Sequence, residues 1–406
     1  MELSPEFYKE LSFKAGSVFT PSSPIDQKTL FAGRTKEVRR VIDVLNQKGQ
    51  HAIIFGERGV GKTSLARVIS EFFDNPELRV PNVTCDSGDN YETVWKKIFE
   101  KMSLVSRTRK MGFLGLEDDK QISFLTQVSD YIKPGEVIKR LEEISLHVPL
   151  MIVIDEFDRI TDPGVRKLFS DTIKILSDNS IDVTIILVGV AGTVSELIIG
   201  HESVSRALIE IQVPKMSEIE LRQILEIGAK KLNPQIKFSE DAIKKTTSLS
   251  QGFPHYAHLL ALNSVRFSLD DNRLNVETLD VDSAIDKALE DAQDSIRRSC
   301  HAATVSPRKD NLYLHVLVAC ALASKDDLGY FAPADVREPM SRIMHKNFSI
   351  PRFARHLNDL YEGRGCVLDR MGSERKYRYR FKDPLMQSYV IMQGLKKGLV
   401  TTEILS

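Results

Sequence analysis

Gly56-Glu57-Arg58-Gly59-Val60-Gly61-Lys62-Thr63 follows directly on a short apolar run, His51 to Phe55, and leads into a helical stretch beginning at Lys62. The glycines permit a tight loop whose backbone N–H groups turn inward, a conformation that few other residues adopt. A ring of amides followed by the positive end of a helix is a receptor for phosphate. Lys62 extends it toward the β- and γ-phosphates of a nucleotide, and the Thr63 hydroxyl, with Ser64 beside it, faces a Mg²⁺ ion. By average residue usage, a chain of 406 residues carries such an octapeptide by chance with odds on the order of one in a hundred. The strand before it and the helix after it lower those odds further.

A phosphate site of this kind needs a carboxylate on a separate strand. Leu150-Met151-Ile152-Val153-Ile154-Asp155-Glu156 supplies one at the end of a wholly apolar run. Asp155 is placed to hold the Mg²⁺, usually through water. Glu156, one residue on, is placed to polarise an attacking water. Either carboxylate alone is an ordinary solvated strand exit; the pairing with the loop gives them a role. No base-reading Asn-Lys-x-Asp is present, so ATP rather than GTP is expected.

Around these two strands the chain alternates short buried strands and helices. Helix is expected from Lys36, Tyr91 to Met102, Pro134 to Ile144 and Val165 to Leu176, and strand over Arg79 to Cys85 and Asp182 to Val188. Non-alternating apolar strands separated by helices predict an α/β fold with a parallel sheet covered on both faces. Residues 104 to 132 read as an insertion. From Ser217 the pattern is all-helical, over Glu218 to Leu232, Glu240 to Ser248, His255 to Ser268 and Asp282 to about Arg298. A linker follows near Val305 to Lys309. The expected division is an N-terminal arm, 1–30; a nucleotide-binding domain, 31–214; a helical lid, 215–304; and a C-terminal domain, 305–406.

In the C-terminal part, Leu312 to Ala323 reads as one helix. Pro339 is expected in the first turn of a second, running to His345. Ser349 and Pro351 open a third, with Ile350, Phe353, Leu357 and Leu360 as its apolar stripe. Strands at Cys366 to Arg370 and Lys376 to Phe381 flank a Met371-Gly372-Ser373 turn. Three helices and a hairpin make a winged helix. Arg375-Lys376-Tyr377-Arg378-Tyr379-Arg380 alternates basic and aromatic residues, so one face of the strand is basic. With Arg352 and Arg355 on the third helix, these residues suit a duplex phosphate backbone. Solvated arginines on a strand also need no ligand at all.

These residues together resemble the AAA+ ATPases of the replication-initiator and STAND-like branch. Phe31-Ala32-Gly33-Arg34-x-x-Glu37 resembles the F-x-G-R-x-x-E box that lies near the adenine in that branch. Gly252-Phe253-Pro254-His255 stands at the position of its sensor-2 G-x-P-R motif. The resemblance implies a parallel-sheet base domain, a helical lid, a C-terminal winged helix and Mg-ATP held between base and lid. Phe31, Gly33, Arg34, Pro254 and His255 then join the nucleotide site. It also implies a trans-acting arginine, for which Arg206 has the expected place, and therefore a homo-oligomer. Two departures stand out. His255 replaces an arginine, and Val188-Gly189-Val190-Ala191-Gly192-Thr193 lacks the usual sensor-1 Asn, which points to slow turnover.

Lys plus Arg and Asp plus Glu both number 56, a zero net charge that predicts no polyanionic partner by itself. The balance is uneven: from Pro307 onward 17 basic residues face 11 acidic ones. Cys85, Cys300, Cys320 and Cys366 show no metal-type spacing and fit a reducing cytoplasm. The first residues lack a signal-peptide pattern, and the longest apolar runs are too short for a bilayer, so no membrane partner is expected. Three functional readings follow: an ATP-driven switch or motor on double-stranded DNA, a STAND-like signalling or defence switch acting on an effector protein, and a non-hydrolysing nucleotide-binding scaffold.

Overall fold

The computed structural model describes residues 3–21, 32–74, 78–108, 118–123, 132–199, 204–233, 235–308, 311–373 and 376–401, with the backbone alone over 103–108 and 118–123. Phe31 and Arg375 lie outside the described residues.

Five parallel strands form the central sheet: β1 (His51–Gly56), β2 (Asn82–Thr84), β5 (Leu150–Asp155), β6 (Val183–Val190) and β7 (Leu208–Gln212), in the order β2-β5-β6-β1-β7. Strands β3 (Ser103–Thr108) and β4 (Asp118–Ser123) form a separate hairpin within the insertion. Alternate residues of each strand enter opposite cores. Ala52, Ile54, Met151, Val153, Ile186 and Val188 pack on one face, and Ile53, Phe55, Ile152, Ile154, Ile185 and Leu187 on the other. Both faces being dry explains why the strands read as unbroken apolar runs.

Helices α2 (Thr35–Leu45) and α3 (Lys62–Phe73) cover the first face. Helices α4 (Tyr91–Lys101), α5 (Pro134–Ser145) and α6 (Pro163–Asp178) cover the second, where Trp95 stacks on Phe169 with centroids 6.2 Å apart. The order places β6 between the loop strand β1 and the carboxylate strand β5. Register pairs Gly56 with Val190 and Ile154 with Leu187, so the C-terminal ends of all three strands open on one edge. Crevices at such carboxyl ends are where open α/β sheets bind ligands.

Four differences from the sequence expectations concern helices, the last of them in the C-terminal region below. The N-terminal arm contains a full helix, α1 (Pro5–Val18), whose Ser4 side chain accepts from the Phe7 amide. The span expected as one helix from Asp282 is two: α10 (Thr278–Asp291) starts at the Glu277/Asp280 capping box, and α11 (Asp294–Thr304) follows a break at Ala292-Gln293. Pro339 does not open its helix. α13 runs Pro333–Ile343, with Pro333 in the first turn and Pro339 in the interior. Pro333 is the proline that the first turn tolerates, because its missing N–H has no intrahelical partner there.

The remaining lid helices are α7 (Glu218–Leu232), α8 (Glu240–Ser250) and α9 (Pro254–Asp270), with two-residue strands β8 (Lys237–Phe238) and β9 (Asn275–Val276) pairing beside them. In the C-terminal region, α12 (Tyr313–Leu322) and α13 precede a short 3₁₀ turn, Ile350–Arg352, and α14 (Ala354–Glu362). Ser349 makes no side-chain cap, so the third helix begins at Ala354 rather than around Pro351. Antiparallel β10 (Leu368–Met371) and β11 (Arg378–Phe381) and a last helix, α15 (Met386–Lys396), complete the arrangement of a winged helix. The same apolar core runs from the sheet through the lid into α12 and α15.

Helix α1 is bound to the lid by Leu11, Ala15, Val18 and Phe19, which pack on Leu225, Ala229 and Leu269. Gly228 makes this possible: a Cβ there would lie 2.3 Å from Phe19 Cε1. Gly228→Ala gains about 1 kcal/mol of helix propensity. It loses about 1–3 kcal/mol to overpacking as Phe19 is displaced. We expect a lower thermal midpoint and faster limited proteolysis between α1 and α2; a higher midpoint contradicts the docking described.

Candidate nucleotide site

The loop between β1 and α3 takes its shape from positive backbone torsions at Gly56 (φ 151°), Gly59 (φ 86°) and Gly61 (φ 97°). At Gly56 the constraint is also steric, since a Cβ would lie 2.5 Å from the Val213 carbonyl oxygen. Gly61 is the N-cap of α3, and the helix end points into the loop.

Lys62 is buried at the centre. Its Nζ donates to the carbonyls of Gly56 (3.0 Å) and Glu57 (2.7 Å). Burial pulls its ammonium down to about 8, against the pull of Asp158, Asp155 and Glu57. Asp155 is buried too. Desolvation raises its pKa, while hydrogen bonds from the Glu156 amide (2.8 Å to Oδ1) and the Thr63 hydroxyl oppose the rise. Glu156 sits at φ 53°, which turns its half-exposed side chain out of the sheet edge, 3.4 Å from Arg159 Nε.

These residues share one cleft of about 730 Å³. Of the residues expected at the site, the cleft is lined by Arg58, Gly59, Gly61, Lys62, Thr63, Ser64, Asp155, Glu156, Pro254 and His255. Gly56, Glu57 and Val60 shape the loop from behind. A Mg²⁺ ion needs hard oxygen donors, and Thr63 with Asp155 offers a hydroxyl and a carboxylate side by side. The inward loop and its lysine fit a polyphosphate.

Arg34 occupies a different position from the cleft. It is 2% exposed, at φ 58°, and donates to the Val60 carbonyl (2.9 Å) and the Pro214 carbonyl (2.7 Å). Its backbone amide donates to Glu220 at the start of α7, and Glu220 also covers Gly33. Arg34 thus ties the phosphate loop to the entry of the lid. Arg206 is exposed at the opposite end of the sheet, where its carbonyl accepts from Gln50 just ahead of β1. It does not reach the cleft of its own chain. His255 lines the cleft with its Nδ1 2.7 Å from the Pro21 carbonyl. Thr193 bonds to Ser195 and Glu196 rather than entering the cleft.

Several cleft residues went unseen in the sequence. Asp158 accepts from the Val190 amide at 2.8 Å and so ties the carboxylate turn to the neighbouring strand end. Its position three residues after Asp155 was the available signal. Thr20, Pro21, Gln293 and Leu385 also line the cleft, and only tertiary packing brings them there.

In the winged helix, the expected nucleic-acid residues divide. The Arg355 side chain is 89% exposed, 3.9 Å from Asp359, and Arg352 lies over the Phe348 ring. Arg378 pairs with Asp326 at 3.0 Å and Arg380 with Asp369 at 3.6 Å. Lys376 is exposed beside the wing.

A family model described as "AAA domain" matches residues 45–197. Over that span the chain is similar to an AAA domain. Among solved structures, the Walker-type ATPase paby2304 of Pyrococcus abyssi is similar at 17% identity, covering 92% of this chain and 99% of that one, with a TM-score of 0.51. The ORC2 protein of Aeropyrum pernix, solved as ADPNP-ADP complexes, is similar at 14% identity over 94% and 98% of the two chains, with a TM-score of 0.50. No curated protein sequence matches the chain. What is shared at these identities is the fold, from the parallel-sheet base through the helical lid into the C-terminal winged helix.

Buried histidines give this architecture a pH signature. Burial holds both His51, at the base of β1, and His258, in the cleft wall, down at about 4, below the ordinary value of 6.5. Both are neutral when folded and take up protons on unfolding. Their contribution is complete above about 6.5 and is lost as pH falls toward 4. The urea midpoint should therefore drop between pH 7 and pH 5, and drop less in His51→Asn; a midpoint indifferent to that pH change contradicts the burial of both rings.

Proposed function

We propose that the protein binds Mg-ATP and hydrolyses it slowly, and that the cycle switches its conformation or assembly on double-stranded DNA. The observation that carries the reading is the convergence of Lys62, Thr63, Asp155 and Glu156 on one cleft under the lid. Bound Mg²⁺, held through Thr63 and Asp155, supplies charge neutralisation at the phosphates. Lys62 exchanges its two loop carbonyls for phosphate oxygens, which favour its charged form further. Glu156 orients a water and accepts its proton. Pro254 and His255 close the cleft from the lid. His255, held to Pro21, gives a weaker phosphate contact than an arginine, which accords with slow turnover.

Arg206 is not among the residues lining its own cleft, so a role at phosphate requires a second copy. We infer a homo-oligomer in which Arg206 stabilises charge on the neighbour's nucleotide. Arg352, Arg355 and Lys376, with Arg375 beyond the described residues, form the proposed duplex contact.

A second reading has its own support. The wing arginines Arg378 and Arg380 already have carboxylate partners. In that case the C-terminal region acts on an effector protein and the cycle is a signalling switch without DNA.

Lys62→Ala is expected to abolish retention of adenine nucleotide. Glu156→Gln should keep it while lowering hydrolysis by about 10²–10⁴. Equal, very slow turnover in wild type and Glu156→Gln would instead favour a non-hydrolysing scaffold. Mass photometry with ADP and with a slowly hydrolysed ATP analogue, each with and without duplex DNA, separates the two switch readings. Binding to DNA should weaken steeply with salt, with a slope of about −0.9 per phosphate contacted. Growth in particle size that needs the ATP analogue but ignores DNA selects the effector reading.

A further inference from the structure

The outer side of the phosphate loop is held by residues far along the chain. A Cβ on Gly59 would lie 3.0 Å from Leu385 Cδ2. Glu57 is gripped more tightly. Gly329, at φ +77°, approaches so closely that a Cβ there would sit 1.9 Å from Glu57 Oε1. Glu57 Oε2 lies 3.5 Å from Lys215 Nζ, which in turn donates to Gln387 Oε1 at 3.1 Å and sits 4.7 Å over the Phe253 ring. Lys325, half-buried nearby, donates to the carbonyls of Ala321 and Ala323. Its ammonium is pulled down to about 7 by burial and by Lys215, with Glu57 among the groups opposing the shift. The buried Ser388 hydroxyl donates to the Ser250 carbonyl at 3.1 Å and fixes the same seam.

Glu57 therefore faces two ways. Its carbonyl accepts from Lys62 inside the cleft, and its carboxylate is wedged against Gly329 outside it. We propose that Gly329, Leu385 and Gln387 are positioning residues of the phosphate loop, acting through Glu57, Gly59 and Lys215, so that filling of the cleft and seating of the C-terminal region are coupled. The proposal rests on the nucleotide-binding reading above. When Lys62 turns to phosphate, the Glu57 peptide loses its bond to the ammonium. The Glu57 carboxylate, lodged against Gly329 and 3.5 Å from Lys215, then shifts its contacts with the C-terminal region as its peptide moves. Coupling of this kind is reciprocal: what displaces the C-terminal region also changes nucleotide affinity by the same factor. Packing without such a wedge would leave affinity indifferent to these residues.

The test uses the full chain and a fluorescent ADP with Mg²⁺. Gly329→Ala is expected to weaken binding by about fivefold or more. In a Glu57→Ala background the same change should alter affinity by less than about twofold, because the carboxylate it strikes is gone. In wild type, amide exchange over 325–331 and 383–388 should change on loading with Mg-ADP. Equal weakening in both backgrounds, or exchange unmoved by nucleotide, overturns the coupling. Should Gly329→Ala fail to fold, Gln387→Ala, which acts through Lys215 outside the cleft, and the wild-type exchange measurement decide by the same criteria. Failure of wild type to bind, with Lys62→Ala no different, sinks the nucleotide reading itself; intact wild-type binding with indifferent variants sinks only the coupling.

Discussion

A buried ammonium is the constraint around which this chain is organised. Lys62 is 7% exposed, and a charge so placed is costly unless its protons are satisfied. Two loop carbonyls accept from it, and Asp155 and Asp158 lie close enough to favour the charged form. Carbonyls can reach the ammonium only if the loop folds back on itself, and that requires positive φ at Gly59 and Gly61. The carboxylates can reach it only if β5 ends beside β1 with β6 between them, which the strand order provides. The ammonium is satisfied only by loop carbonyls that can be exchanged for other acceptors, and it lies at the N-terminus of α3, where the helix adds positive potential. It suits a polyanion far better than any neutral ligand.

A second buried cation extends the constraint to the lid. Arg34 bridges the Val60 and Pro214 carbonyls, and its own amide is held by Glu220, whose other oxygen completes the cap of α7. Loop, strand exit and lid entry thus share one hydrogen-bonded node. The back of the phosphate loop and the start of α7 are joined through the one residue Arg34. The box around Gly33 and Arg34 has in this chain a bracing geometry, whatever it contributes to base recognition.

Much of this was legible because the residue types dictate local geometry. The loop, the carboxylate strand and the capped lid helix α7 lie where glycine torsions, apolar runs and the Ser217/Glu220 box require. Helix α1 had its own signal, Ser4-Pro5-Glu6 ahead of an apolar stripe at Phe7, Leu11, Ala15 and Val18, which the prolines farther along masked. Strand β7 escaped because Leu208-Ile209-Glu210-Ile211-Gln212 mixes polar and apolar residues as an edge strand does. The approach of Gly329 to Glu57 left no local trace, since one residue lies in the phosphate loop and the other in the C-terminal region. Sequence periodicity reports on faces, and it cannot say which faces meet.

The same distinction bears on the C-terminal charge. An excess of 17 basic over 11 acidic residues beyond Pro307 suggests a basic face. In three dimensions the excess is unevenly available. Arg378 and Arg380 on the wing are opposed by Asp326 and Asp369, and Arg370 lies between the rings of Tyr361 and Tyr377 at 4.2 Å from each. Exposed pairs of this kind are weak, roughly 0–1 kcal/mol, so a phosphate backbone can compete for the arginines at modest cost. Arg355, largely exposed, needs no such exchange. Paired and unpaired cations thus divide between two elements: the wing strand β11 carries the opposed arginines, and the start of α14 carries the exposed Arg355, with Arg352 over the Phe348 ring in the turn before it.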